Sequence, residues 1–158
     1  MNHQIFRLPV LVILAMTLAF STLGLTAQEQ ITNKDVKKRV ALMLTAQAAM
    51  ETLTDMMAGQ VMFQANQARS ARRTLIQTSD DIAKRFKTPH FDPLSNARPE
   101  IWTYWADFKA RAASSEAAAR QLNVYSLNGL RRSLPSVLQS CLSCHDSYRA
   151  EPNEFITH

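Results

Sequence analysis

Four long stretches of the sequence carry apolar residues at the three- and four-residue spacing of an amphipathic α-helix. They run from about 33 to 59, 65 to 86, 99 to 122 and 127 to 151, and none shows the period-two alternation of a strand. The chain has only 3 glycines and 6 prolines, too few turn formers for a β-sandwich or barrel. Long helices with short connections favour antiparallel neighbours. The predicted fold class is therefore all-α, an antiparallel four-helix bundle.

Capping and breaking residues mark the ends of these helices. Thr32 or Asn33 is expected to cap the first helix, and Gly59 to end it. Pro99 suits the first turn of the third helix. Pro135 lies inside the fourth stretch, where it lacks a backbone donor and its ring clashes with a carbonyl of the preceding turn. A kink or break is therefore predicted near 131–135, with intact helix from about 137 to 148.

The first 27 residues have the pattern of a secretory signal peptide. Arg7 gives a positive start, residues 8–20 are almost entirely apolar, and Ala27 precedes a polar segment. The prediction is cleavage near Ala27, which leaves 28–158 as the folded domain. The alternative is an uncleaved membrane anchor, but the apolar run is short for a span of about 20 residues.

A C-x-x-C-H motif lies in the fourth predicted helix, at Cys141, Cys144 and His145. This is the attachment pattern of c-type haem. Residues i, i+3 and i+4 share a helix face, so both sulfurs can bond to the vinyl groups of one macrocycle while the imidazole reaches its iron. An exported protein with two cysteines would otherwise be expected to pair them as a disulfide.

Three other interpretations of the motif stay open at this point. A structural zinc site needs four protein ligands, and the segment after residue 27 adds only His90 and His158 to the motif. A thioredoxin-like redox pair is expected beside a βαβ pattern, which is not visible here. The third interpretation is a chance match in a short helical chain.

The ending Cys141-Leu-Ser-Cys-His-Asp-Ser-Tyr-Arg149 resembles the C-x-x-C-H-x-x-Y-R ending of the class II c-type cytochromes, which include cytochrome c′. Arg98-Pro-Glu-Ile-Trp102, followed by Asp107-Phe108-Lys109, is similar to the start of the third helix of that family. Arg39 and Met43 are similar to its first-helix Arg with Met or Leu four residues on. The resemblance covers 32–151, and it implies an exported four-helix bundle with one covalent haem c on its last helix.

The resemblance also implies roles for single residues. His145 becomes the proximal iron ligand, and Arg39 pairs with a haem propionate instead of being a solvated surface charge. Met43 is either a sixth iron ligand or an unligated residue of a tight apolar pocket, since the family contains both arrangements. Arg149 lies near the proximal face, where the alternative is a cation that interacts with the helix dipole.

Two residues depart from the family pattern. Val40 stands where many members have Gln after the first-helix Arg, which removes one hydrogen bond at the haem edge. Pro135 stands where members usually continue their fourth helix without a break.

The predicted function is one-electron transfer by a periplasmic mono-haem cytochrome. The alternative is a five-coordinate haem protein that binds or senses nitric oxide or carbon monoxide. An enzyme is not expected, because the first helix shows no distal His and no other obvious distal acid–base group. The resemblance implies periplasmic redox proteins as partners and a homodimer as one possible assembly. Nucleic acid is not expected, because the net charge of +5 is not gathered into a basic block.

Overall fold

The computed structural model describes residues 30–150 and contains five helices in that range. They are α1 (Lys34–Ala58), α2 (Ala65–Phe86), α3 (Glu100–Thr103), α4 (Trp105–Gln121) and α5 (Leu127–Tyr148). The four long helices pack in a ring, with α1 against α2, α2 against α4, α4 against α5, and α5 against α1. The all-α four-helix bundle is confirmed. Within residues 30–150 no helix is both long and apolar enough to span a membrane. The predicted signal peptide lies outside the described residues.

Both ends of α1 follow from local chemistry. The Asn33 side chain accepts hydrogen bonds from the backbone N–H groups of Asp35 (2.9 Å) and Val36 (3.2 Å), which satisfies two donors that a helix leaves free. Gly59 ends the helix with a left-handed φ of 80°, a conformation that glycine adopts without a Cβ clash. The predicted cap and stop are both confirmed.

The third predicted helix is interrupted, which the periodicity did not indicate. Tyr104 has φ −109° and ψ 45°, so the one-turn helix α3 is separate from α4. The residues from Ile101 to Tyr104 all have modest helix propensity. Tertiary contacts hold the neighbouring Trp102, whose indole N–H donates to the Phe86 carbonyl (2.7 Å) and whose ring meets Phe91 edge-on. These contacts outweigh the weak preference for continuing the helix.

Helix α5 runs through Pro135, so the break predicted near 131–135 is wrong. The intact helix expected from about 137 to 148 is confirmed. Leu134 and Val137, on either side of the proline, are 0% and 1% exposed. Burying a large aliphatic side chain contributes about 1.5–3 kcal/mol, and two of them offset the roughly 3 kcal/mol cost of a helical proline. A bend at this point stays a prediction.

The interior contains two apolar clusters, which we name the main core and the aromatic cluster. The main core joins all four long helices; its largest fully buried side chains are Leu53, Met56, Leu130, Leu134, Val124 and Val137. The aromatic cluster consists of Phe86, Ile101, Phe108 and Tyr148. It lies where α2 ends, α3 and α4 begin, and α5 ends, so it marks the end of the bundle that carries the C-x-x-C-H motif.

Candidate haem-attachment site

The last two turns of α5 present the motif. Cys141, Cys144 and His145 are all half-buried, and both cysteines are free thiols. Because α5 is helical from Leu127 to Tyr148, the i, i+3 and i+4 spacing places the three side chains on one face. The two sulfurs and the imidazole can therefore reach one planar group.

The two thiols lie against different parts of the interior. Cys141 packs against the main core, and Cys144 packs against the aromatic cluster. A group attached to both sulfurs would therefore be held next to both apolar clusters. Apolar surroundings of this kind suit a haem, whose potential depends on burial and solvent access.

Burial keeps these donors uncharged. It raises the pKa of the Cys141 thiol, and it raises the pKa of the Cys144 thiol to about 11, against the opposing charge of Arg111. Burial also lowers the pKa of His145, and the charge of Arg149 lowers it further. A neutral imidazole is the form that ligates a metal ion. Two sulfurs that can form thioethers and a neutral imidazole that can ligate iron therefore fit haem c.

Met43 lies on α1, across from the motif. It is half-buried and packs against the aromatic cluster, as Cys144 does. The fold thus brings the predicted distal residue and one predicted thioether sulfur to the same group of side chains. Whether the sulfur of Met43 binds iron stays a prediction.

Arg39 is not a solvated surface charge, since it is only 2% exposed. Its guanidinium donates to the carbonyls of Arg85 (3.1 Å), His90 (3.0 Å) and Thr88. It also lies over the Phe86 ring, 4.8 Å from the centroid. Three of the five N–H groups of a guanidinium are thus used among the described residues, and a propionate contact would have to use the other two.

Arg149 is not part of α5. It follows the last helical residue with extended dihedral angles (φ −112°, ψ 135°), and its N–H donates to the His145 carbonyl at 2.9 Å. It pairs with Ala97 in an isolated antiparallel bridge. The fourth predicted helix, expected to run to about 151, therefore ends at Tyr148, and Arg149 is its C-cap.

A polar network joins α4 to α5, and no motif in the sequence indicated it. Asp107 accepts hydrogen bonds from the Tyr148 hydroxyl (2.6 Å) and from Nε of Arg111 (2.7 Å). Nη1 of Arg111 in turn donates to the carbonyl (2.6 Å) and the hydroxyl (2.7 Å) of Ser143. Both donors lower the pKa of Asp107, the Tyr148 hydroxyl most, and keep its carboxylate ionised. The i, i+4 spacing of Asp107 and Arg111 was visible in the sequence, but it is also the spacing of any surface ion pair.

The family model described as Cytochrome C′ matches residues 34–149. The chain belongs to the cytochrome c′ family. Members of this family carry one covalently bound haem c, and Cys141 and Cys144 occupy the cysteine positions of its motif. The protein is accordingly a mono-haem c-type cytochrome with the attachment motif on its last long helix.

Solved structures of cytochromes c′ share the fold. Cytochrome c′ from Rhodopseudomonas palustris is 23% identical, covers 77% of this chain and 100% of its own, and has a TM-score of 0.68. An NMR-validated model of oxidized R. palustris cytochrome c556 is 21% identical, covers 76% of this chain and 98% of its own, and has a TM-score of 0.69. The nitric oxide complex of a mutant cytochrome c′ from Alcaligenes xylosoxidans is 27% identical, covers 74% and 94%, and has a TM-score of 0.65. No protein of curated function matches the chain.

Proposed function

We propose that this cytochrome is exported to the periplasm and transfers single electrons between redox proteins, without catalysing a reaction of its own. The observation that carries the proposal is the placement of Cys141, Cys144 and His145 on one half-buried face of α5, with Met43 packed against the aromatic cluster that Cys144 contacts. The signal-peptide pattern of residues 1–27 supports export.

The bound haem supplies the one-electron change between ferrous and ferric iron. Cys141 and Cys144 would hold it through two thioethers, and the neutral imidazole of His145 would ligate its iron. Phe108 and Tyr148 are 3% and 6% exposed, so they keep water from the side of the site that Cys144 faces. Apolar surroundings and the axial ligands are what a protein uses to set a haem potential.

Met43 completes the coordination in this proposal. If the thioether of Met43 binds the iron, it would raise the reduction potential of the haem and leave no free position for a further ligand. Arg39 directs its two remaining N–H groups to a propionate, a charge-assisted contact. Arg149 places its charge near His145, which the lowered pKa of that imidazole supports.

A second candidate function is the binding of small gases at five-coordinate iron. Two observations favour it. Two variants of cytochrome c′ from Alcaligenes xylosoxidans, 26% and 27% identical to this chain, have solved structures with nitric oxide bound. Met43 lies in apolar surroundings, which would give an unligated iron a dry distal pocket.

Absorption spectra of the purified exported protein, oxidised and reduced, test the two candidates. Electron transfer predicts six-coordinate low-spin iron in the wild type and conversion to high-spin iron in Met43→Ala. Met62→Ala is the matched control, because Met62 is 83% exposed and should leave the spectrum unchanged. A wild-type protein that is already high-spin and takes up carbon monoxide would overturn the electron-transfer proposal in favour of gas binding.

A further inference from the structure

The segment between the two cysteines is bound from outside its own helix. Arg111, on α4, contacts Ser143 twice through Nη1, once at the carbonyl (2.6 Å) and once at the hydroxyl (2.7 Å). Ser143 directly precedes Cys144 and His145. A guanidinium that binds both the backbone and the side chain of this residue fixes where the next two residues lie relative to α4.

Asp107 orients that guanidinium. Its carboxylate accepts from Nε of Arg111 (2.7 Å), while its contact with the Tyr148 hydroxyl (2.6 Å) ties it to the end of α5. The Tyr148 ring lies under the Arg111 guanidinium, with the carbon of that group 5.8 Å from the ring centroid. The same ring meets Phe108 edge-on, with 5.3 Å between centroids. The network therefore contacts α5 at Ser143, just before Cys144 and His145 in the chain, and at Tyr148, just after them.

A second pair on α4 shows what an ordinary surface ion pair looks like in this protein. Arg120 and Glu116 have the same i, i+4 spacing, but among residues 30–150 the Arg120 side chain bonds only to Glu116. The Arg120 side chain is 62% exposed, whereas that of Arg111 is 31% exposed. Exposed pairs of this kind contribute little to stability, and this one does not reach another helix. Arg111 differs because it crosses to a neighbouring helix and ends on backbone.

We propose that Asp107 and Arg111 are positioning residues that hold Cys144 and His145 at the aromatic cluster, and so set the geometry of the proximal iron ligand. This inference rests on the proposed function in one respect, that His145 ligates the iron. Positioning groups outside the first ligand shell act in this way in many metal sites, by orienting the ligand rather than by touching the metal.

The test compares Arg111→Gln, Asp107→Asn and the control Arg120→Gln in the haem-loaded protein. The readouts are the ferric electron paramagnetic resonance spectrum, which reports ligand geometry at the iron, and the reduction potential. We expect Arg111→Gln and Asp107→Asn to shift the g values in the same sense, since both loosen the same contact with α5. Arg120→Gln should match the wild type, and Arg111→Lys should recover part of the shift because an ammonium can still donate to Ser143.

A pure charge effect gives a different pattern and would overturn the proposal. Removing the Arg111 cation would lower the potential, removing the Asp107 anion would raise it, and neither would move the g values. If Arg111→Gln does not accumulate, Ser143→Ala deletes only the hydroxyl contact, and we expect a smaller shift in the same sense. A wild-type spectrum from Ser143→Ala would then assign Arg111 a role in folding alone and would also overturn the proposal. Failure of the proposed function is seen separately, as a wild-type protein whose iron is already high-spin and takes up carbon monoxide.

Discussion

Nη1 of Arg39 donates a hydrogen bond to the backbone carbonyl of His90 across 3.0 Å, which joins α1 to the connection that follows α2. Nε2 of His90 lies 3.5 Å from the carboxylate of Asp35, which is also on α1. This connection is therefore attached to α1 at two points. His90 is half-buried in this connection. The buried guanidinium of Arg39 donates hydrogen bonds to backbone carbonyls of this irregular connection. These bonds hold the connection in one conformation.

We predict that replacing Arg39 by Met lowers the free energy of unfolding by about 2–4 kcal/mol, because three carbonyls lose a charged donor and at least part of that site is closed to water. Arg39→Lys should recover little, since an ammonium cannot reach three carbonyls in a fork geometry. The control is Lys38→Met, the next residue along, which is exposed and should change stability by less than about 0.5 kcal/mol. Urea unfolding measures the free energy of unfolding of all three variants. Equal effects of Arg39→Met and Lys38→Met would contradict a stabilising role for the hydrogen bonds of Arg39.

Asp92 gives a prediction for pH dependence. Its carboxylate accepts from the backbone N–H groups of Thr32 (2.8 Å) and Asn33 (3.0 Å), and these bonds, that of Asn33 foremost, lower the pKa of Asp92. A carboxyl whose pKa is lower in the folded state contributes stability above its unfolded pKa of about 3.9, and loses it as the pH falls through the folded pKa.

Asp92→Asn should therefore lower the urea midpoint near pH 7, and the difference from the wild type should shrink below about pH 4. Glu51→Gln, on the exposed side of α1, is the control and should change the midpoint little at either pH. A difference between Asp92→Asn and the wild type that stays constant down to pH 2 would rule out the carboxylate as its source.

The two cysteines give a prediction for haem attachment. In the wild type, acid–acetone extraction should leave all haem on the polypeptide, because thioethers survive that treatment. A single Cys141→Ser or Cys144→Ser variant should keep haem through one thioether, and the double variant should release it entirely. Ser140→Ala is the control next to Cys141 and should retain haem as the wild type does. Release of haem from the wild-type protein would contradict covalent attachment.

The sequence was sufficient to predict the helical bundle and the haem-attachment motif, because both depend on short-range patterns in the chain. Helix periodicity, the Asn33 cap and the Gly59 stop depend on residues close together in the chain, and so does the spacing of Cys141, Cys144 and His145. The break at Tyr104 was missed because it depends on contacts of Trp102 with Phe86 and Phe91, which lie on other segments.

Long-range contacts also explain what the sequence could not show at the site. Arg39 looks like one cation among Lys37 and Lys38, and only the fold reveals that it turns inward to carbonyls some fifty residues away. Arg111 looks like an i, i+4 partner of Asp107, and only the packing of α4 on α5 brings it to Ser143. In both cases the partner is a backbone carbonyl, which carries no signal in the sequence.

Pro135 offers the last prediction, because α5 continues through it. The proline leaves the carbonyl of Arg131 without its helical donor, and both residues lie on the exposed side of the helix. Pro135→Ala restores that donor and removes the ring clash, a gain of roughly 3 kcal/mol, less about 0.4–1 kcal/mol for the greater freedom of the unfolded chain. We therefore expect a net stabilisation of about 2 kcal/mol, measured by urea unfolding of the haem-loaded protein. Ser136→Ala, the exposed neighbour, should change stability by less than about 0.5 kcal/mol. A less stable Pro135→Ala variant would show that the packing of Leu134 and Val137 depends on a bend that the proline imposes.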